Sequence, residues 1–245
     1  LTLWFSQYSI INMNSQSLTF PPDTSVQDRE IIKAVSCYTM TSVERQMALI
    51  EATRYIIDSK IDGCFVECGV WRGGSCMAIA LTLLKENELN RNLYLYDTFE
   101  GMTSPTIDDE SFDGISAEKY LNSDEQKTGI VWAVSTYNEV ENNMYSTGYL
   151  KEKINLIQGP VEKTLPLNKP DEPIALLRLD TDWYKSTKHE LNILFPLLKE
   201  GGVLIIDDYG HWKGAKKAVD EYFDNLNDKY YMHRIDYTGR MLIKK

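Results

Sequence analysis

The amino-acid sequence predicts an α/β fold built on a doubly wound sheet with right-handed crossovers. Two observations support this prediction. Short apolar runs alternate along the chain with stretches of helical spacing, and several of these runs are continuously apolar instead of alternating with polar residues. Continuous hydrophobicity is typical of strands that are buried on both faces of a sheet. Strands that alternate with helices favour parallel strands joined by crossover helices.

The first predicted unit is a helix followed by a strand, a glycine turn and a second helix. Residues 43–58 have apolar positions at helical spacing and predict an N-terminal covering helix. Residues 61–69 predict a short buried strand that ends in the glycine turn, and residues 75–86 predict the next helix. We expect residues 1–40 to form an arm or cover, and residues 41–245 to form one domain.

The same alternation continues towards the end of the chain. Strands are predicted at 92–97, 154–159, 174–180 and 203–208, and helices at 137–148, 186–200 and near 213–226. Thr136 is the predicted N-cap of the helix at 137–148, and Gly148 closes it. Residues 98–135 form a connection long enough to be a lid or a binding loop. We therefore predict a lid insertion at about residues 99–135.

Composition and charge restrict the classes of function. The chain has 245 residues, enough for one substantial core, and a formal net charge of −10. Nucleic-acid affinity depends on clustered Lys and Arg, so we expect no nucleic-acid partner. The sequence has no apolar run of about 18 residues, and its first ten residues lack the features of a signal peptide. We therefore expect no membrane partner and a cytoplasmic location.

The segment VECGVWRGGS, residues 66–75, is the first candidate binding site. Its three glycines allow the backbone to turn tightly and to approach a ligand at a helix N-terminus. The segment does not satisfy the G-x-G-x-x-G fingerprint of dinucleotide-binding folds, because two larger residues follow Gly69. Glu67 would repel a pyrophosphate but suits the cationic amino group of S-adenosylmethionine.

Asp97 ends the second predicted strand, about 30 residues after the glycine turn. An acid at this position accepts the ribose hydroxyls in nucleoside-binding α/β folds. This observation alone does not distinguish a nicotinamide cofactor from S-adenosylmethionine. An oxidoreductase therefore stays an alternative here, although Glu67 and the broken glycine fingerprint disfavour it.

Two predicted strands end in pairs of acids. Asp180 and Asp182 occur in LRLDTDWY, and Asp207 and Asp208 occur in LIIDDYG. Residues two apart share a face in extended chain, so four carboxylates are predicted at one edge of the sheet. Such a cluster either binds a cation or becomes protonated, unless its members are turn acids that face water. Oxygen ligands favour Mg²⁺, with Ca²⁺ or Mn²⁺ as alternatives.

Five segments together resemble the macrocin O-methyltransferase family, metal-dependent methyltransferases of natural-product biosynthesis. They are VECGVWRGGS, YDTFEGM, YSTGYLKEKINLIQGPVEKTLP, LRLDTDWYKST and GGVLIIDDYGHWKGAKKAVDEYF. The resemblance covers residues 43 to 226. It implies a Rossmann-like class I S-adenosylmethionine methyltransferase with a seven-stranded, mostly parallel sheet, helices on both faces and antiparallel last strands. Residues 1–40 and 102–135 match the family poorly.

The resemblance also implies a role for each matching residue. The implied Mg²⁺ ligands are Asp180, Asp207 and Asp208. Asp182 is the implied general base, and His211 is a second catalytic candidate because it follows Asp208 by three residues. The methionine, ribose and adenine parts of the cofactor would be held by Glu67, Gly69, Ser75, Asp97, Gln158, Gly159 and Asp180.

The implied activity is Mg²⁺-dependent methylation of a hydroxyl on a small sugar or polyketide-type natural product, with S-adenosylmethionine as methyl donor. The alternatives are a catechol-type phenolic O-methyltransferase and a non-catalytic S-adenosylmethionine-binding domain; the four acids disfavour the second. We expect either a homo-oligomer or, since the chain begins at Leu1 and not at a methionine, a domain of a larger biosynthetic polypeptide.

Overall fold

A seven-stranded sheet forms the centre of the computed structural model, which describes residues 18–123 and 132–245. The strands are β1 Cys64–Cys68, β2 Leu93–Asp97, β3 Ile154–Gln158, β4 Ile174–Leu179, β5 Leu198–Ile206, β6 His233–Arg234 and β7 Arg240–Ile243. Their order is β3-β2-β1-β4-β5-β7-β6. The first five strands are parallel, and β7 is antiparallel to both of its neighbours. This topology confirms the predicted fold class.

Helices cover both faces of the sheet. They are α1 Val26–Val35, α2 Val43–Asp58, α3 Gly74–Lys85, α4 Ala117–Asn122, α5 Tyr137–Ser146, α6 Val161–Asn168, α7 Tyr184–Leu194 and α8 Lys213–Asp224. One core lies between the sheet and α1, α2, α3 and α5, and a second lies between the sheet and α6, α7 and α8. Within β1, Phe65 packs into the first core and Val66 into the second. The strands are apolar on both faces because both faces are covered.

Most predicted elements agree with the structure. The covering helix α2 has the predicted bounds, and α3 and the first four strands agree to within three residues at each end. Helix α5 begins after Thr136, whose hydroxyl accepts a hydrogen bond from the Glu139 amide N–H, as an N-cap does. Gly148 follows this helix with a φ of 82°. None of the helices in the described part of the chain has the length and hydrophobicity that a membrane span requires.

The predicted helix at 186–200 is too long. Helix α7 ends at Leu194, a short 3₁₀ helix follows, and β5 begins at Leu198 instead of residue 203. Pro196 lies in the 3₁₀ helix and has no amide hydrogen to continue a helical ladder. Leu198 pairs with Ile174 of β4, and the register then shifts before Val203 pairs with Leu176; Gly201, with a φ of 80°, lies in the irregular part between them. Proline and glycine therefore override the apolar periodicity.

Three helices lie where the sequence predicts none. Helix α1 lies in the predicted arm, begins after the N-cap Ser25 and buries Ile31, Ile32 and Val35. Helix α4 lies in the predicted lid insertion, and α6, which contains Pro166, follows β3. Residues 1–17 of the arm and 124–131 of the insertion lie outside the described residues.

Candidate functional site

A cleft of about 320 Å³ opens at the carboxyl ends of β1, β2, β4 and β5. This edge is where ligands bind in doubly wound sheets. Its walls come from residues 38–41, the glycine turn, the end of β2, the lid insertion and the loops after β4 and β5. The predicted site residues that line it are Glu67, Gly69, Ser75, Asp97, Gly159, Asp180, Asp182, Asp207, Asp208 and His211.

Gly69 allows two strand ends to meet at the floor of the cleft. Its φ is 79°, and a Cβ atom at this position would lie 2.0 Å from the Asp180 carbonyl oxygen. The Asp180 amide donates a hydrogen bond to the Cys68 carbonyl oxygen at 2.9 Å. Because any side chain at Gly69 would push the end of β4 away, glycine keeps the turn after β1 next to the aspartates.

Gly74 allows the segment before α2 to cross the start of α3. Its amide donates to the Tyr38 carbonyl oxygen at 3.0 Å, and a Cβ atom would lie 2.5 Å from that oxygen. Ser75 lies beside this crossing, where its hydroxyl accepts a hydrogen bond from the Gln46 side chain at 3.2 Å. One wall of the cleft is therefore formed by residues 38–41, the covering segment that precedes α2, and not by the sheet.

Asp97 anchors the glycine turn. One carboxylate oxygen accepts hydrogen bonds from the amides of Val70 at 2.8 Å and Trp71 at 3.1 Å, and the other accepts from the Phe99 amide at 2.8 Å. Burial raises the pKa of Asp97, and these hydrogen bonds oppose the rise. Asp97 lies at the cleft, as the ribose role requires, and also holds the turn in shape.

The structure separates the two residues predicted to flank the adenine. Gly159 lines the cleft. Gln158 is the exposed last residue of β3 and is not among the lining residues. Gly159 therefore has the position expected of a residue that contacts the cofactor, whereas the contact of Gln158 with the adenine stays a prediction.

Glu67 is buried, with 2% of its surface exposed, and both of its carboxylate oxygens have partners. Arg178 donates to one at 2.5 Å, and the Cys76 thiol donates to the other at 2.7 Å. Burial raises the pKa of Glu67, and the charge of Arg178 opposes the rise. Glu67 lies at the predicted position, but its strongest partner is a protein cation.

Arg178 links Glu67 to the aspartate cluster. It lies on β4 with 2% of its surface exposed, and its guanidinium group also forms salt bridges with Asp180 at 2.8 Å and Asp207 at 2.5 Å. Arg45, on the covering helix α2, binds the second carboxylate oxygen of Asp207 and also pairs with Asp236 at 3.0 Å.

The aspartates predicted as metal ligands converge. One carboxylate oxygen from each of Asp180, Asp207 and Asp208 lies within 4.8 Å of the others. Burial raises the pKa of Asp180 and Asp208 well above the usual range, and the carboxylates beside them raise it further.

The donor chemistry of the cluster fits a hard divalent cation, because every donor atom is a carboxylate oxygen. The charges agree with this interpretation. Five carboxylates lie at the cluster, and three of them, those of Glu67, Asp180 and Asp207, pair with the guanidinium groups of Arg45 or Arg178. Without a cation, burial and mutual repulsion favour protonation of these acids, and a bound divalent cation would instead stabilise their ionised forms.

Asp182 occupies a strained turn beside the cluster. Its φ is 63°, a conformation that residues other than glycine rarely adopt, and the Trp183 amide donates to the Thr181 carbonyl oxygen at 2.7 Å across it. Its own amide donates to an Asp208 carboxylate oxygen at 3.3 Å. Burial raises the pKa of Asp182 to about 7, opposed by its hydrogen bond with Asp208. A carboxylate with this pKa suits a general base at neutral pH.

His211 lies at the mouth of the cleft. Its ring contacts Trp212 edge to face with centroids 4.9 Å apart, and its Nδ1 atom lies 3.4 Å from the Tyr237 hydroxyl oxygen. Burial lowers the pKa of His211. Its position is compatible with the predicted contact to the acceptor.

Three charged residues at or beside the site are not predicted from the sequence: Arg45, Arg178 and Glu190. Arg178 could have been found from the sequence, since it is the one charged residue in the apolar strand IALLRL. Arg45 and Glu190 could not, because charged residues are common in helices and do not indicate a site there. Glu190 is fully buried on α7, where it accepts a hydrogen bond from the Thr181 hydroxyl at 3.1 Å, and burial raises its pKa to about 8.

Known proteins are similar in sequence to this chain over most of its length. The model of the TylF macrocin-O-methyltransferase family matches residues 10–244. Demethyldecarbamoylnovobiocin O-methyltransferase from Streptomyces niveus is 32% identical over 187 residues, which are 76% of this chain and 68% of that protein. Mycinamicin III 3''-O-methyltransferase from Micromonospora griseorubida is 31% identical over 203 residues, which are 82% of this chain and 76% of that protein.

Solved structures agree with these matches. The O-methyltransferase NovP is 29% identical with a TM-score of 0.73, and the similarity covers 84% of this chain and 82% of NovP. The calicheamicin methyltransferase CalS11 is 16% identical with a TM-score of 0.64, over 94% of this chain and 97% of CalS11, and supports the fold alone. With a family match over most of its sequence and relatives more than 30% identical, this chain belongs to the macrocin-O-methyltransferase family of S-adenosylmethionine-dependent O-methyltransferases.

Proposed function

We propose that this protein transfers the methyl group of S-adenosylmethionine to a hydroxyl of a glycosylated or polyketide-type natural product, with a divalent cation at the aspartate cluster. The observation that carries this proposal is the convergence of Asp180, Asp207 and Asp208 within 4.8 Å in the cleft that the glycine turn also lines. A methyl donor and a cation-bound acceptor would meet in such a cleft.

The relatives support the class of acceptor. One is a mycinamicin III 3''-O-methyltransferase. Another, from Streptomyces olivaceus and 30% identical over 202 residues, is a 4'-O-methyltransferase of a rhamnosyl tetracenomycin. We infer that a glycoside is the acceptor here as well.

The aspartates would hold Mg²⁺, or Ca²⁺ or Mn²⁺, through carboxylate oxygens. When bound, the cation would supply Lewis acidity that lowers the pKa of an acceptor hydroxyl. Arg45 and Arg178 each bind one Asp207 oxygen and so fix the orientation of this carboxylate. The protein part of the site is therefore preorganised, which reduces the reorganisation that catalysis would require.

Asp182 would take the acceptor proton. An aliphatic hydroxyl is a poor nucleophile at neutral pH, so its proton must leave as the oxygen–methyl bond forms and the sulfur–methyl bond breaks. Asp182 lines the cleft next to Asp208, and its carboxylate would accept that proton. The electron pair of the broken bond stays on sulfur, which leaves as S-adenosylhomocysteine.

The glycine turn and the covering segment would bind the cofactor. Gly69, Ser75, Asp97 and Gly159 line one side of the cleft, next to the N-terminus of α3. Met102 and Thr103 of the lid insertion line it as well. They would limit the access of water, because hydrolysis competes with transfer in an open site.

The proposed function is tested with methyl-labelled S-adenosylmethionine, Mg²⁺ and a panel of acceptors: glycosides with vicinal diols, polyketide aglycones and catechols. We expect label on a glycoside or polyketide hydroxyl, with loss of transfer in EDTA. Label on catechols alone would instead establish the phenolic alternative. Cofactor binding without transfer to any acceptor would indicate a non-catalytic domain.

A further inference from the structure

The carboxylate of Asp109 joins the lid insertion to the start of α7. Asp109 is fully buried within the insertion. One of its oxygens accepts hydrogen bonds from the Thr106 amide at 2.6 Å and from the Thr106 hydroxyl at 2.8 Å. The other oxygen accepts a hydrogen bond at 2.7 Å from the amide of Tyr184, the first residue of α7. The two oxygens therefore serve two different parts of the molecule.

Asp109 supplies the capping side chain that α7 lacks. The residue at the N-cap position is Trp183, whose side chain makes no capping hydrogen bond. The first amides of a helix have no partner within the helix, and they lie at the positive end of its dipole. A carboxylate is a favourable acceptor for them. The lid insertion therefore caps α7 from a segment that is 75 residues away in sequence.

A glycine of α8 leaves room for this carboxylate. A Cβ atom at Gly214 would overlap the Asp109 oxygen that accepts from Tyr184. Glycine is the residue that permits such a close approach, since it has no side chain. A larger residue at position 214 would displace the carboxylate from the Tyr184 amide. The lid insertion, α7 and α8 therefore meet at Asp109.

The cap lies two residues after Asp182, the proposed base. Asp182 has a φ of 63°, and a strained conformation persists only when the surrounding structure holds it. The lid insertion holds both residues that follow. The Trp183 indole donates a hydrogen bond to the Thr103 carbonyl oxygen at 3.0 Å, and the Tyr184 amide donates to Asp109. The insertion therefore holds the strained turn from its C-terminal side.

We propose that Asp109 is a positioning residue for methyl transfer. Its carboxylate caps α7 and thereby keeps the turn at Asp182 in the conformation that places the base in the cleft. This inference rests on the proposed function, which assigns Asp182 as the base. Asp109 does not itself line the cleft, so it acts through the backbone of Tyr184 and not by contact with the cofactor or the acceptor.

Hydrogen exchange of the Tyr184 amide tests the cap itself. It is followed by nuclear magnetic resonance in the full chain labelled with ¹⁵N-tyrosine, and Tyr184→Phe identifies the signal. We expect exchange to be about 10-fold faster in Asp109→Ala, because the amide loses its acceptor. Thr106→Val is the matched control. It removes the hydroxyl that binds the other carboxylate oxygen and should leave the exchange of Tyr184 unchanged.

Kinetics test whether the cap positions the base. Transfer from methyl-labelled S-adenosylmethionine is measured with the member of the acceptor panel above that is labelled fastest. Asp109→Ala should lower kcat about 10-fold and change KM less than threefold, because the base is misplaced while the contacts to the ligands remain. Gly214→Ala should act in the same way, since its methyl group displaces the carboxylate. Asp109→Asn keeps one oxygen acceptor and should recover most of the loss, and Thr106→Val should show none.

A double-mutant cycle separates positioning from a general loss of structure. In the Asp182→Asn background the base is already absent, so adding Asp109→Ala should change kcat less than twofold. A general loss of structure would instead lower kcat by the same factor in both backgrounds, and this result overturns the proposal. Unchanged exchange of the Tyr184 amide in Asp109→Ala overturns it as well.

Failure of the proposed function gives a different pattern. Full kcat in Asp182→Asn, or no transfer to any acceptor, contradicts the proposed function together with the positioning role that rests on it. A reduced kcat in Asp182→Asn with a wild-type kcat in Asp109→Ala overturns the positioning role alone.

Discussion

The Nη2 atom of Arg178 lies 2.5 Å from the Oδ1 atom of Asp207, which directly follows the neighbouring strand β5, and both side chains are buried. The same guanidinium group binds Glu67 on the other side of β4. One arginine therefore joins the carboxyl ends of β1, β4 and β5 beneath the cleft. The acids could not be packed this closely without it, because unpaired buried charges are strongly destabilising.

Replacing Arg178 with methionine should lower the free energy of unfolding by about 3 to 5 kcal/mol, because two buried carboxylates, those of Glu67 and Asp207, lose their shared cation. Urea unfolding followed by circular dichroism measures the change. Lys199→Met is the matched control: Lys199 pairs with Asp62 at 3.7 Å on the surface, so its loss should cost less than about 1 kcal/mol. Equal effects of the two changes would contradict the proposed importance of the buried pairs.

Asp97→Ala should weaken S-adenosylmethionine binding by roughly 1.5 to 3 kcal/mol, the scale of a hydrogen bond to a charged group. The variant loses both the proposed contact to ribose and the carboxylate that holds the Val70 and Trp71 amides. Isothermal titration calorimetry gives the affinity, and Asp62→Ala, at an exposed position, serves as control. Unchanged affinity in Asp97→Ala would remove Asp97 from the cofactor site.

Asp182→Asn should reduce kcat by about 10²- to 10⁴-fold, the usual contribution of a general base, and should retain metal binding. The amide is nearly isosteric with the carboxylate but cannot take the acceptor proton. Steady-state kinetics and metal titration are needed together. If this variant lost metal as completely as Asp208→Asn, Asp182 would be a ligand, and His211 would be the next candidate for the base.

Glu190→Gln should change how stability depends on pH. The folded protein holds the Glu190 proton up to about pH 8, whereas the usual value is 4.5, so the folded state binds more protons than the unfolded state between these values. This group therefore makes the wild type less stable as pH rises through that window. The glutamine side chain does not titrate, so the variant should not lose stability in this way as pH rises.

Thermal or urea unfolding of both proteins at pH 5 and pH 8 measures the effect. Relative to the wild type, Glu190→Gln should gain roughly 2 to 4 kcal/mol between the two pH values, since one pKa unit corresponds to about 1.4 kcal/mol. A constant difference across this range would show that Glu190 is ionised in the folded protein.

The alternation of elements was predictable from the sequence because each buried strand is a continuous apolar run. The structure confirms the covering helix α2 and has a strand at each of the five predicted positions, although the fifth begins earlier than predicted. Helix α1 was missed because its N-cap Ser25 lies in a segment whose polar residues masked the apolar positions at Ile31, Ile32 and Val35. The start of β5 was not predicted because the residues LLKE have a composition typical of helices. The pairing of Leu198 with Ile174, which depends on tertiary structure, makes this segment a strand.

The acidic site was predictable because its residues sit at strand ends, where the topology brings them together. The partners of those acids were not predictable to the same extent. Arg45 reaches Asp207 from a helix 162 residues away in sequence, and no local pattern encodes such a pairing.

The binding of Mn²⁺ to metal-free protein, followed by electron paramagnetic resonance, tests most directly whether the aspartate cluster is a divalent-cation site. We predict saturable binding to the wild type that is lost in Asp180→Asn and in Asp208→Asn. Binding should survive in Asp220→Asn, a surface acid paired with Lys216. Equal binding in all four proteins, or none in the wild type, would contradict the account.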